Sequence, residues 1–290
     1  MNNSSPNVYE IIDQYFSHMD DAPVGGHSIF QDDRAKEKHE TIIMYAFRKY
    51  RAAFYHSENV RRFLANESSD LDSRKLLDSN TFTNNTRAKI SVRKTADHFV
   101  YELAAFFEAS KSSLDFIAAA SSWYLNSINT ASILTLIRCV DRNTGKGNIF
   151  NVTKQHLSWL KQIREYRHHL VHRMIISTSI GHEVHRRGQI VKTSKHPVVV
   201  PESTPAYFPD TRRARMMEDE PRGLNSTRFE GFVKHSDGTE QLIDFSNEYT
   251  PAEGYVEISS LMAKHLNHLG KFFCDMITAM KGMNYKKHDQ

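Results

Sequence analysis

Histidine and arginine residues are concentrated in the stretch EYRHHLVHR, which runs from Glu165 to Arg173. Histidine titrates near neutral pH, so it can give or take a proton during a reaction. Arginine keeps its charge and can bind two oxygens of one phosphate. A residue that moves protons beside one that neutralises developing negative charge is the combination that reactions of phosphate esters need. The residue types in this stretch therefore suit phosphodiester chemistry.

The stretch is predicted to lie on a helix from about Thr153 to Ile176, and the helix period decides which residues share a face. Arg167 falls within the apolar stripe, and His168 and His172 lie one turn apart on an adjacent face. A guanidinium on the core side of a helix is costly unless it is paired or faces a cleft or another subunit. One interpretation is therefore structural: Arg167 pairs with a carboxylate of the preceding long helix, for which Glu102 is the nearest candidate. The stripe comprises Leu160, Ile163, Leu170, Val171 and Met174.

The spacing Arg-x4-His occurs five times in the chain, so the spacing alone does not discriminate. Arg167 is singled out because a residue of the Asn, Asp or His class, His168, follows it directly, and because it lies mid-stripe on a late helix of a predicted bundle. The pattern Arg167-His168-x-x-x-His172 resembles the signature of the HEPN superfamily. The resemblance spans about residues 87–281, whereas the first 80 residues fall outside it.

The resemblance implies a helical bundle and a metal-independent endoribonuclease of the kind found in toxin–antitoxin, phage-defence and RNA-processing systems. In that interpretation His172 is the general acid or base, Arg167 stabilises the phosphate in the transition state, and His168 orients or contacts the phosphate. No cofactor is expected. An antitoxin or a nucleotidyltransferase-type protein is the kind of partner that the resemblance suggests. The further residues expected around the substrate are Arg164, His169, Arg173 and Glu102.

Helix geometry adds an expectation about assembly. Arg167 and His172 are five residues apart, which separates them by about 140° around an ideal helix. One helix alone is therefore a poor site, whereas two copies facing each other could form a complete one. A homodimer with a composite site is predicted on this ground, and the resemblance implies an RNA substrate.

Two alternatives stay open. The chain could be a catalytically inactive HEPN-like module that binds a nucleotide, a nucleic acid or a partner protein, with Arg167 and His172 in a structural network. A metal site could use Glu165, His168 and His172, but the chain has no second Glu-x-x-His to complete a di-iron arrangement. The P-loop, dinucleotide-binding, zinc-protease and serine-hydrolase motifs are absent from the sequence.

The elements that must position these residues are mainly helical. The predicted fold class is mainly α, a HEPN-like bundle with a small antiparallel β insertion at about residues 186–250, before the last helix. Residues 1–80 are expected to form an N-terminal helical extension, and residues 81–290 the bundle. The Asp-Gly pair in RFEGFVKHSDGTEQLIDFS predicts a hairpin within the insertion. Helices are predicted at 8–19, 32–64, 87–125, 129–140, 153–176 and 257–281.

Composition limits the setting. The chain has 290 residues, 39% hydrophobic and 25% charged residues, and a formal charge of +4, which is ordinary for a soluble globular protein and permits contact with a polyanion. Its two cysteines, Cys139 and Cys274, lie in apolar helical patterns and are expected to be free thiols. No signal peptide and no apolar run of membrane-spanning length is recognised, so a cytoplasmic location without membrane association is expected.

Overall fold

The computed structural model describes residues 7–26, 28–70, 87–125, 130–172, 178–187, 190–203, 224–234 and 238–282. It is mainly helical with small antiparallel sheets, as the sequence predicts. The helices are α1 (Val8–Asp20), α2 (Asp33–Asp70), α3 (Asp97–Ser121), α4 (Ile133–Asp141), α5 (Asn148–Gln155), α6 (Leu157–His172) and α7 (Ile258–Lys281). The strands are β1 (Arg87–Thr95), β2 (Ser179–Arg187), β3 (Ile190–His196), β4 (Val199–Pro201), β5 (Leu224–Lys234), β6 (Glu240–Pro251) and β7 (Tyr255–Glu257).

The chain divides into two compact units. The first, here called the helical unit, comprises Met1–Ser57, Ala104–His172 and Met262–Gln290. The second, here called the sheet unit, comprises Glu58–Leu103 and Arg173–Leu261. The N-terminal residues thus belong to the same unit as α4, α5 and α6, and the predicted division at residue 80 stays a prediction.

Aromatic and aliphatic side chains form the core of the helical unit. Buried side chains recur on one side of α3 at three- and four-residue spacing, as the sequence pattern predicts. Two polar side chains of this core form hydrogen bonds to other helices: the Ser113 hydroxyl donates to the Ala46 carbonyl at 2.8 Å, and the Asp115 carboxylate accepts from the backbone N–H of Ile133 at 3.1 Å, where α4 begins. Pairing removes the cost of burying these groups without water. Fully buried large side chains of the unit include Tyr15, Phe30, Phe106, Phe107, Tyr166, Phe272 and Phe273.

The sheet unit contains three separate antiparallel pairings. β1, β2 and β3 form a three-stranded sheet in that order, β4 pairs with β7, and β5 pairs with β6. The predicted hairpin is confirmed as β5 and β6, and Gly238, in the connection between these strands, has a φ of 83°, which favours glycine. In the order of the chain, strands β2 to β7 follow α6 and precede α7. An antiparallel β region before the last helix is therefore confirmed.

Three sequence predictions of the elements are wrong. The helix predicted from Arg87 begins at Asp97, because residues 87–95 form strand β1. The β region begins earlier than the predicted residue 186, since β2 starts at Ser179. The helix predicted from Thr153 is two helices, α5 and α6, separated at His156. The sequence RAKISVRKT alternates apolar and polar residues, which is the period of a strand.

Candidate active site

The candidate site lies near the end of α6. The side chains of Trp159, Leu160, Ile163 and Tyr166 are buried. Leu170, one turn beyond Tyr166, is only half-buried. Among the described side chains of α6, full burial therefore ends at Tyr166, and Arg167 lies directly after it at the edge of the core.

Arg167 has an acidic partner on α3. Its Nε donates to Glu108 Oε2 at 2.7 Å, and the two side chains are 25% and 49% exposed. The carboxylate expected for this role, Glu102, is the wrong one: Glu102 accepts a hydrogen bond from Asn59 Nδ2 at 3.2 Å. Because α3 carries acids at both positions, helix periodicity could not choose between them. Arg167 is paired and also reaches solvent.

The ion pair itself contributes little to folding. Pairs this accessible typically stabilise a protein by about 0–1 kcal/mol, because water screens the charges and two long side chains lose freedom. Nε is the one guanidinium nitrogen of Arg167 that is hydrogen-bonded among the residues described. The Nη groups, which carry four of the five N–H donors, have no partner within that part of the chain. The pair orients the guanidinium while leaving most of its donors for another group.

The structure describes the side chains of some of the other predicted site residues and not those of the rest. His168 is exposed on α6, next to Arg167, and Arg164 is half-buried one turn earlier. His172 is the last residue of α6, and its backbone is helical. The side chains of His169 and His172 lie outside the described part of the structure, as does the whole of Arg173. The structure therefore brings Arg167, Glu108 and His168 to one end of α6, and the convergence of His172 with them stays a prediction.

Tyr166 is the buried neighbour of this site. Its ring stacks on Phe107 at a centroid distance of 4.6 Å, and Phe107 meets His265 edge-on at 5.2 Å. Burial raises the pKa of Tyr166 above its ordinary value. Because Tyr166 directly precedes Arg167, this packing restricts the rotation of α6 and with it the position of Arg167. Sequence reasoning missed Tyr166 and Glu108. The signals available were an aromatic within the motif itself and the second of two glutamates on the central helix.

Several histidines have structural roles in the core. Trp159 Nε1 donates to His265 Nδ1 at 3.1 Å, so the ring proton of His265 is assigned to Nε2. Burial lowers the pKa of His265 to about 4, with Lys264 and His268 adding to the shift. His39 is likewise fully buried, and burial lowers its pKa to about 4. These two rings are neutral at physiological pH, so histidine abundance does not by itself indicate a site.

The described residues show neither a cluster of metal ligands nor a helix of membrane-spanning character. Among the side chains that the structure describes, no three His, Cys, Asp or Glu residues lie together as metal ligands would. Glu165 and His168 are exposed, and His172 is outside that comparison. No described helix is long and apolar enough to cross a membrane.

The chain matches no protein-family model, no curated protein and no solved structure. The resemblance to HEPN proteins therefore rests on the motif around Arg167 and on the helical setting of that motif.

Proposed function

We propose that the protein is a metal-independent endoribonuclease in which the end of α6 binds and cleaves the RNA phosphodiester backbone. The observation that carries this proposal is Arg167: its guanidinium is anchored through Nε by Glu108 and is still a quarter exposed. A cation that served only to stabilise the core would be expected to be closed off. An anchored and accessible guanidinium is preorganised to bind two phosphate oxygens.

The proposed roles follow from chemistry and position. Arg167 stabilises the charge that develops on the phosphorane, and Glu108 is a positioning residue because it acts through Arg167. His172 is the general acid or base, and His168 contacts or orients the phosphate. The cleavage needs no metal because histidine can move both protons and arginine supplies the positive charge.

Cleavage is tested by incubating the purified protein with RNA in EDTA. Wild type is expected to cleave. The rates of Arg167→Ala and His172→Ala are expected to be lower by a factor of about 100 or more, the usual loss for an acid–base or charge-stabilising group. The matched controls are Arg51→Ala and His56→Ala on α2, which have the same Arg-x4-His spacing and should keep wild-type rates. No cleavage by wild type, or equal cleavage by wild type and His172→Ala, would refute the mechanism.

The proposed composite dimer site has its own test. Arg167→Ala and His172→Ala are each expected to have little activity alone. Mixing them produces dimers in which one site combines the Arg167 of the His172→Ala protomer with the His172 of the Arg167→Ala protomer. If the two residues act across the interface, the mixture regains about a quarter of wild-type activity, since half of the dimers are mixed and each has one intact site of two. No regain would place both residues of a site on one protomer.

The second candidate is an inactive HEPN-like module, and the Arg167–Glu108 ion pair is the observation that favours it. In that case the pair is only structural, so Arg167→Ala and Glu108→Ala should lower stability equally, by about 1 kcal/mol at most for a pair this exposed. Arg61→Ala is the matched control, because Arg61 makes a comparable exposed pair with Glu58 at 2.6 Å. Stability losses in the absence of any RNA cleavage by wild type would favour this candidate.

A further inference from the structure

Four lysines or arginines and one histidine occupy adjoining register positions on the three-stranded sheet. Arg87 of β1 is opposite Arg187 of β2. Lys89 of β1 is opposite His185 of β2, which in turn is opposite Lys192 of β3. Residues two apart on a strand and residues directly opposite share a face, so all five positions are on one face. We call this group the basic row.

The opposite face has a different composition at the same end of the sheet. Its positions hold mainly apolar residues, and Arg186 is the one cation among them. At this end of the sheet most of the cations are therefore on one face, whereas Lys94 and Lys195 of the opposite face lie toward the other end. The apolar positions in question are Ala88, Ile90, Val184 and Val191.

The basic row brings like charges close together on one face of the sheet. Neighbouring strands are about 4.8 Å apart, and like charges placed directly opposite each other destabilise a sheet. Glu183 is the only acidic residue in the sequence of the three strands. It is buried and lies 3.9 Å from His196 Nε2 toward the other end of the same face. Repulsion along the row would be relieved by a bound anion.

The size of the basic row indicates the kind of anion. Three strands and one two-residue step cover about 10 Å by 7 Å, which is more than one phosphate group spans. A chain with repeated phosphates can engage several of these positions at once and release counterions from each. Among the described residues of this face, Ser194 is buried and Lys192 is half-buried, so burial decreases from the His196 end toward the row.

We propose that the juxtaposition of Arg87, Lys89, His185, Arg187 and Lys192 on one face of this sheet forms a binding surface for the phosphate backbone of RNA. The identity of the ligand as RNA rests on the proposed function, whereas the presence of a polyanion-binding surface rests on the register of the sheet. The surface lies in the sheet unit and is separate in sequence from Arg167.

Binding is measured by fluorescence anisotropy with a labelled 2′-O-methyl uridine 20-mer, which lacks the 2′-hydroxyl nucleophile and so is not cleaved. The test variant is Lys89→Gln combined with Lys192→Gln. The control is Lys94→Gln combined with Lys195→Gln, which removes the same two charges from the same two strands on the opposite face. Loss of two phosphate contacts should reduce the slope of log K against log salt by about 1.4, or about 25-fold in affinity at 0.1 M relative to 1 M salt. The control should bind as wild type does.

Thermal unfolding without RNA supplies a second measurement. Removing like charges from the row should leave the unfolding midpoint unchanged or raise it. A lower midpoint in the test variant alone would mean that the row is neutralised within the fold, and the inference would be overturned. The carboxylates available for such neutralisation are on the β5–β6 hairpin, whose strand β6 lies against β3: Glu230, Glu240, Asp244 and Glu248.

The remaining outcomes are distinct. Equal loss of binding in both double variants, or binding of poly-glutamate as tight as that of the oligonucleotide, would also overturn the inference. Row-dependent binding without RNA cleavage by wild type would support this surface and reject the proposed enzyme. Cleavage by wild type together with unchanged binding by the test variant would reject this surface and leave the proposed enzyme intact.

Discussion

Acid should destabilise the helical unit through two buried histidines, His39 and His265. Both are fully buried, and burial lowers the pKa of each from the ordinary 6.5 to about 4. In the unfolded chain each ring takes up a proton below pH 6.5, whereas the folded protein resists protonation until pH 4. The unfolded state therefore binds more protons in this window, so stability falls as the pH falls from 6.5 to 4.

The size of the effect follows from the two pKa values. At pH 5 the unfolded-state pKa lies about 1.5 units above the pH, which corresponds to about 2 kcal/mol for each histidine. His39 and His265 together should remove about 4 kcal/mol between pH 7.5 and pH 5. This change is a large part of the free energy of unfolding of a typical protein, which is about 5–15 kcal/mol.

The assay is urea unfolding at pH 7.5 and pH 5, followed by tryptophan fluorescence. The probes are well placed, because Trp159 donates to His265 and the Trp123 ring lies 5.3 Å from that of His39. The variant is His39→Asn combined with His265→Asn, since asparagine cannot be protonated in this pH range and its oxygen can replace His265 Nδ1 as the acceptor from Trp159. Its stability at pH 7.5 is expected to be lower, but its loss between the two pH values should be about 4 kcal/mol smaller than that of wild type.

The control and the contrary result are equally specific. His56→Asn changes a half-buried ring on α2 that reaches solvent, and it should retain the wild-type dependence on pH. If the double variant loses as much stability between pH 7.5 and pH 5 as wild type does, burial of these rings is not what governs the acid response.

Two further predictions concern close packing and thiol reactivity. Gly181→Ala should destabilise the sheet unit by about 1–3 kcal/mol, because an added Cβ would lie 2.8 Å from His196 Cγ. The control is Gly282→Ala, whose added Cβ meets nothing closer than 3.5 Å. Hydrogen exchange measures the stability of both variants, and equal protection of the sheet unit in the two would contradict the reasoning. Cys274 should react with iodoacetamide more slowly than Cys139 at pH 7.5, because it is buried and because burial, with Asp275 nearby, raises its pKa to about 11; mass spectrometry of the labelled peptides checks the order, and labelling of Cys274 first would refute it.

The candidate site could be predicted from the sequence only in part. Helix periodicity placed Arg167 on the core side of its helix and predicted a carboxylate partner on the preceding long helix, and the structure has such a pair. The choice of Glu102 was wrong because periodicity gives the face of one helix and not the height at which a second helix crosses it. The partial exposure of Arg167 could not be predicted for the same reason, since the point where a helix leaves the core depends on its neighbours.

The mainly helical class, the core face of α3 and the β5–β6 hairpin could all be predicted from the sequence. These features depend on local periodicity and turn chemistry, which act over a few residues. Tertiary structure decided that residues 87–95 form a strand and that His39 and His265 are buried and neutral. A strand needs a partner for its backbone hydrogen bonds, and the partner of β1 is β2, about ninety residues later in the chain. Burial of a histidine likewise depends on side chains from distant helices, which no local pattern records.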